Sequence, residues 1–199
     1  MVRFVPRACC LGVPIAIFAT SVQALPWTLL VRDSAGQPLA DAVVAVEVKG
    51  RPAKAVGVKA ELGQRDRQFI PQLLVVQTGT AVNFPNFDTV RHHVYSFSPI
   101  KVIDIKLYSG TPVEPIVFDK PGVATLGCNI HDRMSAHVIV VDTPFFAKTD
   151  ASGTARLDLP AGEHQLKLWH ASMKLATTLQ SQPLSVGSTP GQSTVTLGE

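Results

Sequence analysis

No stretch of this chain repeats apolar residues at helical spacing for three or four turns. Short runs rich in Val, Ile, Thr and Phe recur instead, cut apart by Gly, Pro, Asn and Asp. A helix needs an apolar stripe that returns every three to four residues, whereas a strand needs only alternation or a brief continuous run. The pattern therefore predicts an all-β chain. Strands are expected at Trp27–Arg32, Ala42–Glu47, Leu73–Gln77, Ala81–Phe84, His93–Phe97, Val113–Phe118, Val123–Cys128, His137–Val141, Thr154–Leu159 and Gln165–Trp169. Many short strands with turn signals between them suit a sandwich or barrel.

The first 24 residues read differently. Arg3 and Arg7 precede an apolar run from Leu11 to Phe18, and Val22-Gln23-Ala24 ends on a small residue. These are the parts of a secretory signal peptide cut after Ala24, which implies export to the periplasm. The apolar run is too short to span a bilayer, and no later run reaches the length required, so the mature form is expected to carry no membrane span. The whole chain has a formal charge of +3, and losing Arg3 and Arg7 without any acidic residue leaves about +1. That balance gives no reason to expect nucleic acid as a partner.

Cysteine is more telling. Cys9 and Cys10 leave with the signal, so Cys128 is the single thiol of an exported chain and no disulfide framework can form within it. An exported thiol oxidises unless it is buried or held by a metal. Cys128 is thus either a small core hydrophobe or a ligand.

The order of turns suggests nesting. Val31, Asp33, Gly36, Pro38, Ala42 and Val44 resemble the opening of a carboxypeptidase regulatory-like β-sandwich. The matching remainder, Thr149-Asp150, Gly153, Leu157, Leu159, Pro160-Ala161-Gly162 and Leu166, comes only after residue 143. Residues 25–64 and 143–199 would then form one small Ig-like sandwich, with residues 65–142 as a second domain inserted between its halves. The charged stretch Glu61–Arg67 and the turn Asp142-Thr143-Pro144 are the expected junctions.

The chemistry concentrates in residues 122–141. There Cys128, His131 and Met134 form a Cys-x2-His-x2-Met loop between two expected strands. Thiolate, imidazole and thioether are the soft and borderline donors that a copper site cycling between Cu(I) and Cu(II) requires. Zinc suits the set less well, because Met is a poor zinc ligand and structural zinc sites favour more cysteines. A second His must come from elsewhere, and His92 and His93 offer two adjacent candidates. Alternation cannot choose between them, since Val94 shares parity with His92 while Tyr95 and Phe97 share it with His93.

These two segments resemble the ligand segments of the cupredoxins, and the Cys-x2-His-x2-Met spacing is that of the amicyanin branch. The likeness covers roughly residues 73 to 141, including Val82, Phe84, Asn86-x-Asp88 and Pro121-Gly122. The chain also resembles exported proteins labelled as methylamine utilisation proteins. The resemblance implies a Greek-key cupredoxin sandwich and one type 1 copper held by His92, Cys128, His131 and Met134, because Asn86, Asp88, His92 and Val94 match the family spacing. His93 would contribute through its backbone next to the cysteine sulfur, and Asn86 would brace the ligand turn. Asp132-Arg133 stand where amicyanins carry apolar residues, which is expected to affect potential rather than ligation.

An electron carrier rather than an enzyme is what this resemblance implies. Its partners would be a periplasmic quinoprotein dehydrogenase and a c-type cytochrome, docking where the loop histidine reaches the surface near Ile130, with Arg91 and Arg133 beside it. No Ser elbow or paired-carboxylate signature supports hydrolysis, and Cys128 lacks the setting of a catalytic nucleophile. Two rivals use the same residues: a periplasmic copper carrier or scavenger, and a β-sandwich binding module with structural copper. Trp27 and Trp169 are expected to anchor the outer sandwich. His137, His164 and His170 are expected at rims, a reading preferred to an adventitious second copper contact at His170-x-x-Met173, which only ligand softness would support.

Overall fold

The computed structural model describes residues 23–174 and 176–198, so the expected signal peptide, Gln23 and Ala24 apart, lies outside the described residues. Every regular element is a strand. The chain starts with β1 (Ala24–Arg32) and β2 (Val43–Glu47). It continues with β3 (Lys59–Glu61), β4 (Gly63–Arg65), β5 (Gln68–Ile70), β6 (Leu73–Gln77), β7 (Thr80–Asn83), β8 (His92–Ser98), β9 (Lys101–Tyr108), β10 (Ile116–Phe118), β11 (Gly122–Cys128) and β12 (Ser135–Val141). It ends with β13 (Phe145–Lys148), β14 (Thr154–Pro160), β15 (Gly162–Trp169), β16 (Gln180–Val186) and β17 (Gly191–Thr196). Among the described residues no helix is long and apolar enough to cross a membrane.

The pairing separates the two ends of the chain from its middle. β14-β1-β17 and β13-β2-β15-β16 are two sheets built only from the ends, while β6-β12-β11-β8-β9 and β10-β7-β3 are built only from the middle. Alternation explains the first pair: Trp27, Leu29 and Val31 of β1 point into one core with Val44, Val46, Leu166, Leu168 and Leu184. A separate core gathers Val82, Phe84, Val94, Phe118, Leu126, Cys128, Met134, Ala136 and Val138 between the middle sheets. The chain crosses between the two where the Ala53 N–H donates to the Asp142 carbonyl at 2.9 Å.

Two strands lose alternation altogether, and the reason is burial on both faces. β2 sends Val44 and Val46 into the first core, while Val43 and Ala45 meet Val123, Ile139, Val141 and Trp169 in a third cluster. β12 does the converse, with Ala136, Val138 and Val140 in the middle core and Ile139 and Val141 in the third cluster. Strands covered on both sides read as continuous apolar runs.

Several expectations need correction. The strand expected at Val113–Phe118 shrinks to Ile116–Phe118, since Pro112 and Pro115 cannot donate to a ladder and Val113 is 92% exposed. The charged stretch Glu61–Arg67, expected as a junction, belongs to the middle of the chain: Glu61 ends β3, which pairs with β7, and Leu62 lies in the middle core. The rest forms a hairpin turning through Asp66 and Arg67, both left-handed at φ 54° and 58°, which a two-residue hairpin turn of this type demands. His164 is buried rather than at a rim, its Nε2 bonded to the Pro160 carbonyl at 2.8 Å. Trp169 anchors the contact between the two sandwiches rather than the outer core.

Candidate metal centre

The site begins with two neighbouring strands. β8 and β11 run antiparallel with Cys128 opposite Val94 and Gly127 opposite Tyr95. Along β8, His92, Val94 and Ser96 are buried, while His93 and Tyr95 are half-buried and Phe97 is 81% exposed. Alternation thus turns His92 toward Cys128 and His93 to the outer face. There the His93 Nε2 meets the Asp104 carboxylate at 2.7 Å, and Lys106 meets the same carboxylate at 2.6 Å. Lys106 and His93 hold Asp104 below the usual carboxylate range. Tyr95 lies so close over the cysteine strand that a Cβ on Gly127 would sit 2.7 Å from its ring, so this position suits glycine.

After Cys128 the chain makes a compact loop. The His131 N–H donates to the Cys128 carbonyl at 3.4 Å, the Met134 N–H to the His131 carbonyl at 2.9 Å, and the Cys128 N–H to the Met134 carbonyl at 3.1 Å. This folding returns His131 over the sulfur. The Cys128 Sγ lies 3.7 Å from the His92 Nδ1 and 3.7 Å from the His131 Nδ1. The three donor atoms all fall within 4.8 Å of one another, and the two rings stand 5.0 Å apart at 58°. The two sulfur–nitrogen sides of 3.7 Å match the separation of a thiolate and an imidazole bound to one metal at about 2.1–2.3 Å. The residues present therefore fit a single first-row transition metal.

His92 has no solvent exposure, Cys128 is 4% and Met134 2% exposed, and His131 is half-buried. Met134 sits in the same core as Cys128, at the end of the loop that carries Cys128 and His131. Ile130 is 48% exposed, and Arg91, Asp132 and Arg133 are exposed beside the ligand positions.

The second nitrogen of His92 is held as firmly as the first is aimed. Its Nε2 lies 2.8 Å from an Asp88 carboxylate oxygen. Burial works against the charge on Asp88, but bonds from the Arg67 amide, the His92 ring and the Asp66 amide outweigh it and lower its pKa. Asn86 braces the turn, accepting from the Asp88 N–H at 2.9 Å and donating to the carbonyls of Val90 at 2.8 Å and Tyr108 at 3.0 Å. Such partners fix a ligand's tautomer and orientation.

The remaining histidines do not join the triad. His137 bonds Thr125 and stacks on Trp169 at 4.9 Å, and burial lowers its pKa. The His170 N–H donates to the Met173 sulfur at 3.3 Å, and its ring bonds Ser172. Sequence reasoning passed over Gln64 and Tyr108, which lie beside the site, because one stood in an expected junction and the other ends β9, a strand that was not expected between Phe97 and Val113.

No family model and no curated protein matches the chain. Among solved structures, amicyanin from Paracoccus versutus is similar at 17% identity and a TM-score of 0.38, covering 49% of this chain and 96% of that one. A reduced Cu(I) form at pH 4 of a proline-to-glycine variant of amicyanin is similar at 16% identity and the same TM-score, covering 49% and 97%.

Proposed function

We propose that this chain is a periplasmic type 1 copper protein of the cupredoxin kind that carries single electrons between redox partners. The observation that supports this reading above the others is the triangle of Cys128 Sγ with the Nδ1 atoms of His92 and His131 at 3.7 Å, sealed from solvent on the His92 side. Bound copper would supply a Cu(I)/Cu(II) couple.

The chain's own residues supply the rest. His92, Cys128 and His131 would hold the copper, with Met134 as a fourth ligand, and this mixture of thiolate, imidazole and thioether would suit both oxidation states. Asp88 orients His92, and the core around Cys128 and Met134 excludes water. His131 is the ligand with partial access to solvent, so a partner would approach beside Ile130, between the exposed Arg91 and Arg133. A quinoprotein dehydrogenase as donor and a c-type cytochrome as acceptor are the partners the sequence resemblance implies. Four protein ligands would leave the copper without an open position, which is what a carrier of electrons needs.

The test is the visible absorption spectrum of the copper-loaded chain. One equivalent of Cu(II) should give an intense thiolate-to-copper band, lost in Cys128→Ser. A chain that binds one copper without colour would overturn the reading. Reversible cycling with copper retained would separate an electron carrier from a copper carrier, which would surrender Cu(I) to an acceptor.

A further inference from the structure

The loop from Phe84 to His92 is held from a side that the ligands themselves do not explain. Gln64, in β4, is fully buried at 0% exposure. Its N–H donates to the Pro85 carbonyl at 2.8 Å and its carbonyl accepts from the Phe87 N–H at 2.9 Å, so the base of the hairpin is stitched to the ligand loop through its backbone. Its side-chain nitrogen then donates to the Phe84 carbonyl at 3.2 Å and to the Tyr108 hydroxyl. Tyr108 donates to that same Phe84 carbonyl at 2.6 Å. One carbonyl at the start of the loop thus receives two side-chain donors from two different elements.

Tyr108 stands directly opposite His92 across β8 and β9. Burial pushes its pKa up to about 12, the bond from Gln64 works the other way, and the nearby Cys128 charge raises it further. The phenol is therefore a neutral donor beside the sulfur. Gln64 carries a cost: its Oε1 is one of three buried side-chain polar atoms without a partner among the described residues. An apolar residue would avoid that cost, so the amide is best explained by what its N–H groups hold.

We propose that Gln64 and Tyr108 are positioning residues for the metal centre. They pin the Phe84 carbonyl, Asn86 pins the middle of the loop, and Asp88 pins its end at His92, so the Nδ1 of His92 stays aimed at Cys128 whether the metal is oxidised or reduced. The inference rests on the copper reading. A loop fixed at both ends keeps ligand movement small on electron transfer, whereas one whose start at Phe84 is loosened leaves more play between Asn86 and His92.

The experiment uses the full chain with Gln64→Leu, Tyr108→Phe and both together. Three quantities are measured: Cu(I) affinity by chelator competition, the electron self-exchange rate, and, in the metal-free chain, the His92 ring nitrogen resonances. Each single variant should weaken Cu(I) binding by roughly tenfold and slow self-exchange while the Cu(II) colour persists. Because both act through one carbonyl, the double variant should bind Cu(I) more weakly than either single, by a factor that differs from the product of the two losses. The His92 resonances of the metal-free variants should broaden. Cu(I) affinity within about twofold of the parent in folded variants, or losses that multiply in the double variant, would overturn the proposal. If Gln64→Leu fails to fold, Tyr108→Phe, which removes a single oxygen, decides the matter. Failure of the copper reading would look different, since the parent chain would then show no coloured copper form at all.

Discussion

Met134 offers a way to separate packing from ligation, because the two roles respond differently to shape. The side chain is 2% exposed in the core that also holds Val94, Leu126 and Ala136. Its backbone is fixed independently, by the N–H bond to His131 and the carbonyl bond from Cys128. Truncation to Ala should therefore cost about 2–5 kcal/mol through lost burial and the cavity left behind. Met134→Leu nearly conserves volume and should cost less than about 1.5 kcal/mol. With about 2–4 °C per kcal/mol for a chain of this size, Met134→Ala should lower the Tm of the metal-free protein by about 4–20 °C, and Met134→Leu by less than about 6 °C. The copper form should sort the variants otherwise. Leu offers no lone pair, so loss of axial donation should raise the reduction potential and change the spectrum even though the fold is nearly untouched. Met134→Gln, a stronger axial donor, should lower the potential. Thermal melts of the metal-free chain and redox titration of the loaded chain give both readings. A Met134→Leu protein whose potential and spectrum match the parent would show that Met134 only fills space.

His92→Ala should abolish the copper colour, whereas His93→Ala should keep it with a shifted potential, since His93 loses only a surface contact to Asp104 that Lys106 partly replaces. The reverse outcome in a copper titration would place the ligand one residue later. Reversing Arg91 and Arg133 to Glu should slow oxidation of the loaded chain by ferricyanide, an anionic one-electron oxidant, with the gap closing as salt rises. Equal rates at low ionic strength would remove these arginines from the approach path.

The parts of this architecture that show in the sequence are those set by local chemistry. Trp27, Leu29 and Val31 alternate because only one face of β1 is buried, and Cys128, His131 and Met134 stand together because one tight loop carries all three. What could not be read depended on neighbours distant in the chain. Parity could not choose between His92 and His93, and the structure separates them by facing β8 inward at Val94 and outward at Phe97. Gln64 was hidden in a charged stretch expected to be a junction between domains, although Arg65, Asp66 and Arg67 are the exposed tip of a hairpin with a buried base. Asp88 carried a readable signal, an acid four residues before a histidine, but only the hairpin amides show why a carboxylate can remain charged there. His164 shares parity with Leu166 and Leu168, and that shared face proved to be the buried one.

The two-sided burial of β12 also bears on how motion is distributed through the chain. Its Val138, Ile139 and Val140 have essentially no exposure, with neighbouring strands on both edges and apolar clusters on both faces. Amides in such a place exchange with solvent only when the whole domain opens, while those of exposed loops exchange through local fluctuations. The loop bearing Cys128, His131 and Met134 runs into this strand at Ser135, three residues before its fully buried stretch, and the second sandwich, by covering Ile139 and Val141, helps to hold that stretch closed.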